Sequence, residues 1–271
     1  MGVRITSPQN PRIKFALSLR KASARKREHL FIIEGQREIR LAMQSGFRFH
    51  TLFFCPEIAE KNHAGTVIDE LKDQIQIFET TREIFNKLVY REGSDGLLVI
   101  AHQKKFAPGE IKFARNPLVL VVEGVEKPGN LGAIFRTADA AGVDAVIVCG
   151  QVTDMFNPNV VRASLGTIFT VPVVLCSSEE AVELLNNLDI NIYTTALSAS
   201  VPYHVIDYTV PCAIVLGAED AGVTAIWQKS SDSNILIPMF GKADSMNVSV
   251  VTSIVLYEAL RQRGFHGREF Q

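Results

Sequence analysis

The sequence predicts an α/β protein in two parts: a small α/β unit over residues 1–105, a linker over 106–117, and a larger unit over 118–271 built on a mostly parallel sheet with helices on both faces. From Leu118 onward, uninterrupted apolar runs at 118–122, 145–149, 169–175, 192–196, 213–216 and 235–237 alternate with helix-like stretches. Strands that are apolar throughout belong in a parallel sheet covered on both sides. Upstream, shorter strand-like and helix-like segments alternate, which requires a sheet with helices packed on it. A chain of 271 residues, 47% hydrophobic, has the length for one or two domains.

In order, residues 10–27 read as one helix, with Ile13, Leu17 and Leu19 apolar and Arg or Lys around the rest. Leu30 to Ile33 is a buried strand, and Gln36 to Gln44 a helix ended by Gly46. A strand from Thr51 to Cys55 stops at Pro56. A helix at 64–72, a strand at 75–78, a helix at 81–89 and a strand at 96–101 complete the first unit. From Gln103 to Pro117, Lys104-Lys105, two prolines and the lack of a clean period mark a connection between two self-contained patterns.

Charge is unevenly placed. Residues 1–40 carry ten Lys/Arg against three Glu, a local balance of +7 in a chain whose net charge is −1. A basic N-terminal segment on an otherwise acidic protein points to a polyanion partner, nucleic acid being the usual one, with Arg12, Lys14 and Arg27 as candidate contacts. The competing account is a solvated helix face. The four cysteines are far apart and mostly in Val/Ile/Leu surroundings, which reads as reduced core packing and not as disulfides. Neither they nor the six histidines have metal-site spacing, so no metal is expected. No apolar run approaches a membrane span and no apolar signal core opens the chain, so a cytoplasmic protein is expected.

Three strand-to-helix turns carry the candidate chemistry. The first follows the strand ending at Val122: a Pro/Gly loop leads to a helix beginning near Asn130, whose apolar stripe, Leu131, Ile134, Phe135, Ala138 and Ala141, leaves Arg136 on the free face. A guanidinium there is placed to hold a phosphate bidentately. A simple helix cap and a surface cation are the competing readings. The second turn is Leu216-Gly-Ala-Glu-Asp-Ala-Gly-Val223, where Gly217 and Gly222 permit close backbone approach and Glu219 supplies a carboxylate. Acids favouring a helix N-terminus would look the same. The third runs from Ile235-Leu-Ile237 through Pro238 and a Gly/Lys/Asp turn into a helix-like segment that opens with Ser245, Asn247 and Ser249. Ser245 is the expected N-cap. Crevices of this kind are where α/β proteins place ligands.

These turns lack the G-x-G-x-x-G, G-K-[ST] and G-x-S-x-G signatures, which disfavours dinucleotide binding, phosphate hydrolysis and a nucleophile elbow. Together, however, NLGAIFRTADAAG, LGAEDAGV and IPMFGKADSMNVSV closely resemble, in order and spacing, the three signature motifs of the SpoU/TrmH branch of SPOUT RNA 2′-O-ribose methyltransferases. The N-terminal QNPRIK, basic helix, FIIEGQREI and DGLL resemble that family's appended substrate-binding domain, whose fold is similar to small ribosomal RNA-binding proteins.

The resemblance implies S-adenosylmethionine as methyl donor, a trefoil-knotted C-terminal domain, a homodimer through that domain, and ribosomal RNA as the favoured substrate. The alternatives are transfer RNA, or a non-catalytic RNA-binding or ribosome-associated protein of the same fold. It places Asn130, Arg136, Glu219, Ser245 and Asn247 at catalytic and substrate-orienting positions. It places Ala196, Leu197, Gly217, Ile237 and Met246 around the cofactor, with Met246 where the family has Leu, a volume-conserving exchange. Arg162, in Asn157-Pro-Asn-Val-Val-Arg-Ala-Ser, becomes a candidate RNA ligand.

Overall fold

A computed structural model describes residues 3–90, 93–150, 153–196, 200–218 and 220–265. It divides into two compact units, Met1–Lys104 with Asp154–Thr170, and Lys105–Thr153 with Val171–Gln271.

The first unit contains β1 (Val3–Ile5), α1 (Pro11–Ser18), α2 (Ala22–Glu28), β2 (Leu30–Glu34), α3 (Gln36–Gln44), β3 (Phe49–Phe54), α4 (Pro56–Ala59), α5 (Gly65–Leu71), β4 (Gln76–Thr80), α6 (Arg82–Leu88) and β5 (Leu97–His102). Its strands form a mixed sheet in the order β1-β4-β3-β5-β2, parallel between β1, β4 and β3 and antiparallel at β5.

The single helix expected over 10–27 is two helices. No Gly or Pro marks the break; Arg20, between them, donates from Nη2 to the carbonyls of Lys87, Leu88 and Val89 at the end of α6 (2.7, 3.1 and 3.1 Å) and stacks over Tyr90. Arg25, one of the ten basic residues of the N-terminal segment, is 1% exposed. Its Nη1 donates to the carbonyls of Leu19 and Arg20, and its Nε to Asp154 Oδ2 at 2.7 Å. Part of the basic cluster thus holds the unit together, because a guanidinium can satisfy several carbonyls that a broken helix leaves open.

The second unit contains β6 (Leu118–Glu123), α7 (Pro128–Ala140) and β7 (Ala145–Cys149); after α8 (Pro158–Ser164), which packs with the first unit, come β8 (Val173–Leu175), α9 (Ser178–Asn187), β9 (Asn191–Thr195), β10 (Val201–Pro202), β11 (Cys212–Leu216), α10 (Ala225–Ser230), β12 (Ser233–Leu236) and α11 (Val248–Gln262). Its seven strands are all parallel, in the order β10-β12-β9-β11-β6-β7-β8. Every residue of β6, β7 and β11 is buried, and all are apolar except Glu123 at the end of β6.

Alternation along the strands divides the core. Val119, Val121, Ala213 and Val215 face α9 and α10, packing with Ala181, Leu185 and Trp227. The opposite face, which includes Leu216, is covered from the side of α11, and α11 packs along α7. The strand expected at 169–175 begins only at Val173: Gly166 (φ +84°) leads into a 3₁₀ turn at Thr167–Phe169, and Pro172 precedes the strand. Ile111 and Phe113, within the expected linker, pack on the core of the second unit.

Among the described residues, no helix is long and apolar enough to cross a membrane, and no group of three or more His, Cys, Asp or Glu is arranged to hold a metal.

Candidate active site

At the carboxyl ends of β9, β11 and β12, the second unit holds a cavity of about 340 Å³. That is enough for a ligand of cofactor size, and it lies where open parallel sheets bind ligands. Two of the three turns singled out in the sequence build it: Gly217 to Val223 on one side, Ile237 to Met246 on the other, with Val251 and Val255 of α11 closing the apolar wall. Ala196, Gly217, Ile237, Ser245 and Met246 all line it. Leu197 and Glu219 lie outside the described residues.

The turn after β11 is tight. Ala218 N–H donates to Gly222 O at 3.0 Å and Gly222 N–H returns to Ala218 O at 2.9 Å. Gly217 is packed so closely that a Cβ on it would sit 2.2 Å from the Gly222 carbonyl carbon and 2.4 Å from Val223 N, so glycine is required here by space.

The third turn brings in the first. Asn247, not Ser245, caps α11: its Oδ1 accepts from Ser249 N–H at 2.9 Å and from Ser249 Oγ at 2.6 Å. Ser245 instead stays exposed in the segment that lines the cavity. Asn247 Nδ2 donates to Asn130 Oδ1 at 3.1 Å, which links the start of α11 to the first turn of α7. Thr137 Oγ1 and Ser253 Oγ, 3.2 Å apart, repeat the contact along the two helices. Asn130 itself does not cap α7, whose N-cap is Lys127. Arg136 is exposed on α7 and is not among the residues lining the cavity.

The remaining candidates belong to the first unit. Arg12, exposed, stacks on Phe78 with its guanidinium 4.6 Å from the ring centroid; Lys14 is exposed; Arg27 is exposed and paired with Glu28 at 2.7 Å; Arg162 is exposed on α8.

Asp220 and Asp244 also line the cavity, and they were missed in the sequence. Each sits next to a recognised motif position, Asp220 after Glu219 and Asp244 before Ser245, where an exposed turn acid carries no signal of its own. Both described charged side chains of the lining are therefore acidic, and the wall behind them is aliphatic. Such a pocket suits a cation with a flat apolar part, which is the chemistry of a sulfonium attached to a nucleoside.

The chain matches the SpoU rRNA Methylase family over residues 117–257 and the MRM3-like substrate binding domain over residues 10–99. It is 31% identical over 254 residues to the 23S rRNA (guanosine(2553)-2′-O)-methyltransferase RlmP of Bacillus subtilis, covering 94% of this chain and 98% of that one. It is 32% identical over 238 residues to the 23S rRNA (guanosine-2′-O-)-methyltransferase RlmB of Pectobacterium atrosepticum, covering 87% and 90%. The AdoMet-bound rRNA methyltransferase structure from Sinorhizobium meliloti superposes with a TM-score of 0.88 at 27% identity, over 95% of this chain and 97% of that one. Fold, cavity and likeness together define an S-adenosylmethionine-dependent RNA 2′-O-ribose methyltransferase. The chain belongs to the SpoU rRNA methylase family, with an MRM3-like substrate-binding domain at its N-terminus.

Proposed function

We propose that this protein methylates the ribose 2′-hydroxyl of a guanosine in 23S ribosomal RNA. The observation that carries this reading is the convergence of distant turns on one cleft: the Gly217–Val223 and Ile237–Met246 segments line the cavity, and Asn247, next in the chain, is bonded to Asn130. The substrate class rests on relatives whose names specify a 23S rRNA guanosine.

S-adenosylmethionine, when bound, supplies a methyl group on a positively charged sulfur. Ala196, Gly217, Ile237 and Met246 hold its apolar part, a role that the family resemblance gives to Leu197 as well; Asp220 and Asp244 favour its charge. Asn130, Asn247 and Ser245 position the ribose hydroxyl, and Glu219 orients them. Much of the rate enhancement available in such a displacement comes from positioning. Arg136 anchors the phosphate next to the target sugar; a guanidinium stays protonated in proteins, so it does not serve as base, and the hydroxyl proton leaves through phosphate or water.

Arg12, Lys14, Arg27 and Arg162 contact the RNA backbone, giving a binding term that falls with salt. The RNA is selected over DNA because only its sugar carries the target hydroxyl. The protein acts in the cytoplasm as a homodimer, a reading supported by the apolar side chains Val250 (46%) and Tyr257 (46%) left exposed two turns apart on α11. The family's trefoil knot is assigned to the segments around the cavity on the resemblance of the motifs that form them.

The test is a map of 2′-O-methyl marks in ribosomal RNA from cells with and without the gene, paired with calorimetric titration of the purified protein with S-adenosylmethionine. Loss of one guanosine mark and a saturable heat are expected. An unchanged map with no heat of binding would overturn the reading.

A further inference from the structure

Glu123, the last residue of β6, is a carboxylate in the interior, 4% exposed. It accepts hydrogen bonds from Ser178 Oγ (2.5 Å), Thr224 N–H (2.6 Å), Thr224 Oγ1 (2.9 Å) and Trp227 Nε1 (3.1 Å). Three of these donors converge on Oε1 and the fourth, Thr224 N–H, reaches Oε2, so an amide in either orientation would turn its hydrogens toward at least one donor. A buried charge costs stability unless it is fully bonded, and apolar packing generally serves a core as well or better. What this charge secures is geometry.

The geometry concerns the cavity. Val122 pairs with Leu216, so Glu123 lies beside the point where the chain leaves β11 at Gly217. The turn that follows lines the cavity, closes on itself through Ala218 and Gly222, and re-enters the fold at Thr224. Its two limbs touch, since Gly217 abuts Gly222 and Val223. Fixing Thr224 therefore fixes Gly217. Thr224 is moreover the N-cap residue of α10, yet its side chain makes no cap bond; the hydroxyl is turned to Glu123 instead. A residue type favoured for capping has given up that bond to hold the far end of the turn.

We propose that Glu123 is a positioning residue for methyl-donor binding: it sets the shape of the Gly217–Val223 turn without touching the donor. This rests on the reading of the cavity as the S-adenosylmethionine site. A role in stability alone would lower the folded fraction, and with it kcat, while leaving the Michaelis constants unchanged. A positioning role raises KM for the donor and leaves KM for RNA in place.

The experiment compares the full-length protein with E123Q, T224V, T224S and S178A by steady-state methylation and by titration with S-adenosylhomocysteine. In E123Q, the donor KM and the Kd for S-adenosylhomocysteine are expected to rise about tenfold, the cost of leaving buried donors unmatched. T224V should show a smaller rise of the same kind, and T224S, which keeps the hydroxyl, should restore the wild-type value. S178A, which removes only the donor on α9, should stay within about twofold of wild type. If E123Q does not fold, the pair T224V and T224S decides. Equal donor constants in T224V and T224S, or in E123Q and wild type, would overturn the proposal. Absence of S-adenosylhomocysteine binding to the wild-type protein would instead overturn the assignment of the cavity.

Discussion

Asn247 serves two elements with one side chain: its Oδ1 caps α11 while its Nδ2 reaches Asn130, 117 residues earlier, at 3.1 Å. The two duties separate by substitution. Asn247→Asp keeps a capping oxygen and loses the amide donor, whereas Asn247→Ala loses both. The Ala variant should lose about 1 kcal/mol in urea unfolding and the Asp variant almost nothing. Both should methylate RNA much more slowly than wild type. A fully active Asp variant would remove Asn247 from substrate positioning.

How far the sequence speaks for itself depends on whether local or distant partners decide. The apolar runs of β6, β7 and β11 are legible because strands buried on both faces are built from apolar residues, whereas the buried Glu123 that ends β6 is not. Ser245 and Asn247 are both good caps two residues apart, and the choice between them follows from Ser245 and Met246 being drawn into the cavity wall. The break between α1 and α2 has no local breaker and is fixed by carbonyls nearly 70 residues away. The return of Asp154–Thr170 to the first unit was likewise unreadable: Phe156 and Phe169 announce a core but not which one, and they stack on Phe31 with ring centroids 4.6 and 5.9 Å apart.

Arg25 and Arg27, two residues apart in one basic run, should behave as opposites. Arg25 is buried against Asp154 and the carbonyls of Leu19 and Arg20, so Arg25→Met should destabilise the protein by on the order of 3 kcal/mol. Arg27 is exposed, with its side chain at 71%, and Arg27→Ala should cost less than about 0.5 kcal/mol. The same Arg27 variant should bind RNA more weakly and reduce the slope of log affinity against log salt by about 1. Chemical denaturation and a salt series of RNA binding check the pair; an unchanged salt slope would take Arg27 out of the RNA contact.

Gly217→Ala places a methyl group where only backbone atoms could yield, and overpacking of that kind costs about 1–3 kcal/mol. The strain falls on the turn that lines the cavity, so affinity for S-adenosylhomocysteine should drop about tenfold or more. Gly109→Ala, with nothing within 4 Å of the added carbon, is the control and should bind as wild type does. Tight binding by the Gly217 variant would show that the turn adapts.

Arg136→Lys keeps the charge on the exposed face of α7 but replaces a planar fork with a point donor. If the side chain grips a phosphate through two bonds, single-turnover methylation should slow by about tenfold or more, with the donor Kd unchanged. A variant as fast as wild type would mean that charge alone suffices.

The thiols offer a check on the fold that needs no substrate. Burial pushes the thiol of Cys212 up to about 11, against the lowering effect of Arg263, and Cys55 is raised by burial as well. Cys149 and Cys176, on neighbouring strand ends, move in opposite directions: the hydrogen bond from Cys149 lowers Cys176, and the same bond, with burial, raises Cys149. The proton of Cys149, which rests toward Ser177 O at 3.7 Å, is thus available to a thiolate at Cys176. Since the thiolate is the nucleophile, Cys176, partly exposed, should react first with iodoacetamide at pH 8, ahead of the other described cysteines. Cys149→Ala removes the donor and should move the pH profile of Cys176 alkylation upward. A profile that stays in place, measured by mass spectrometry of the labelled peptide, would show that the lowering comes from elsewhere.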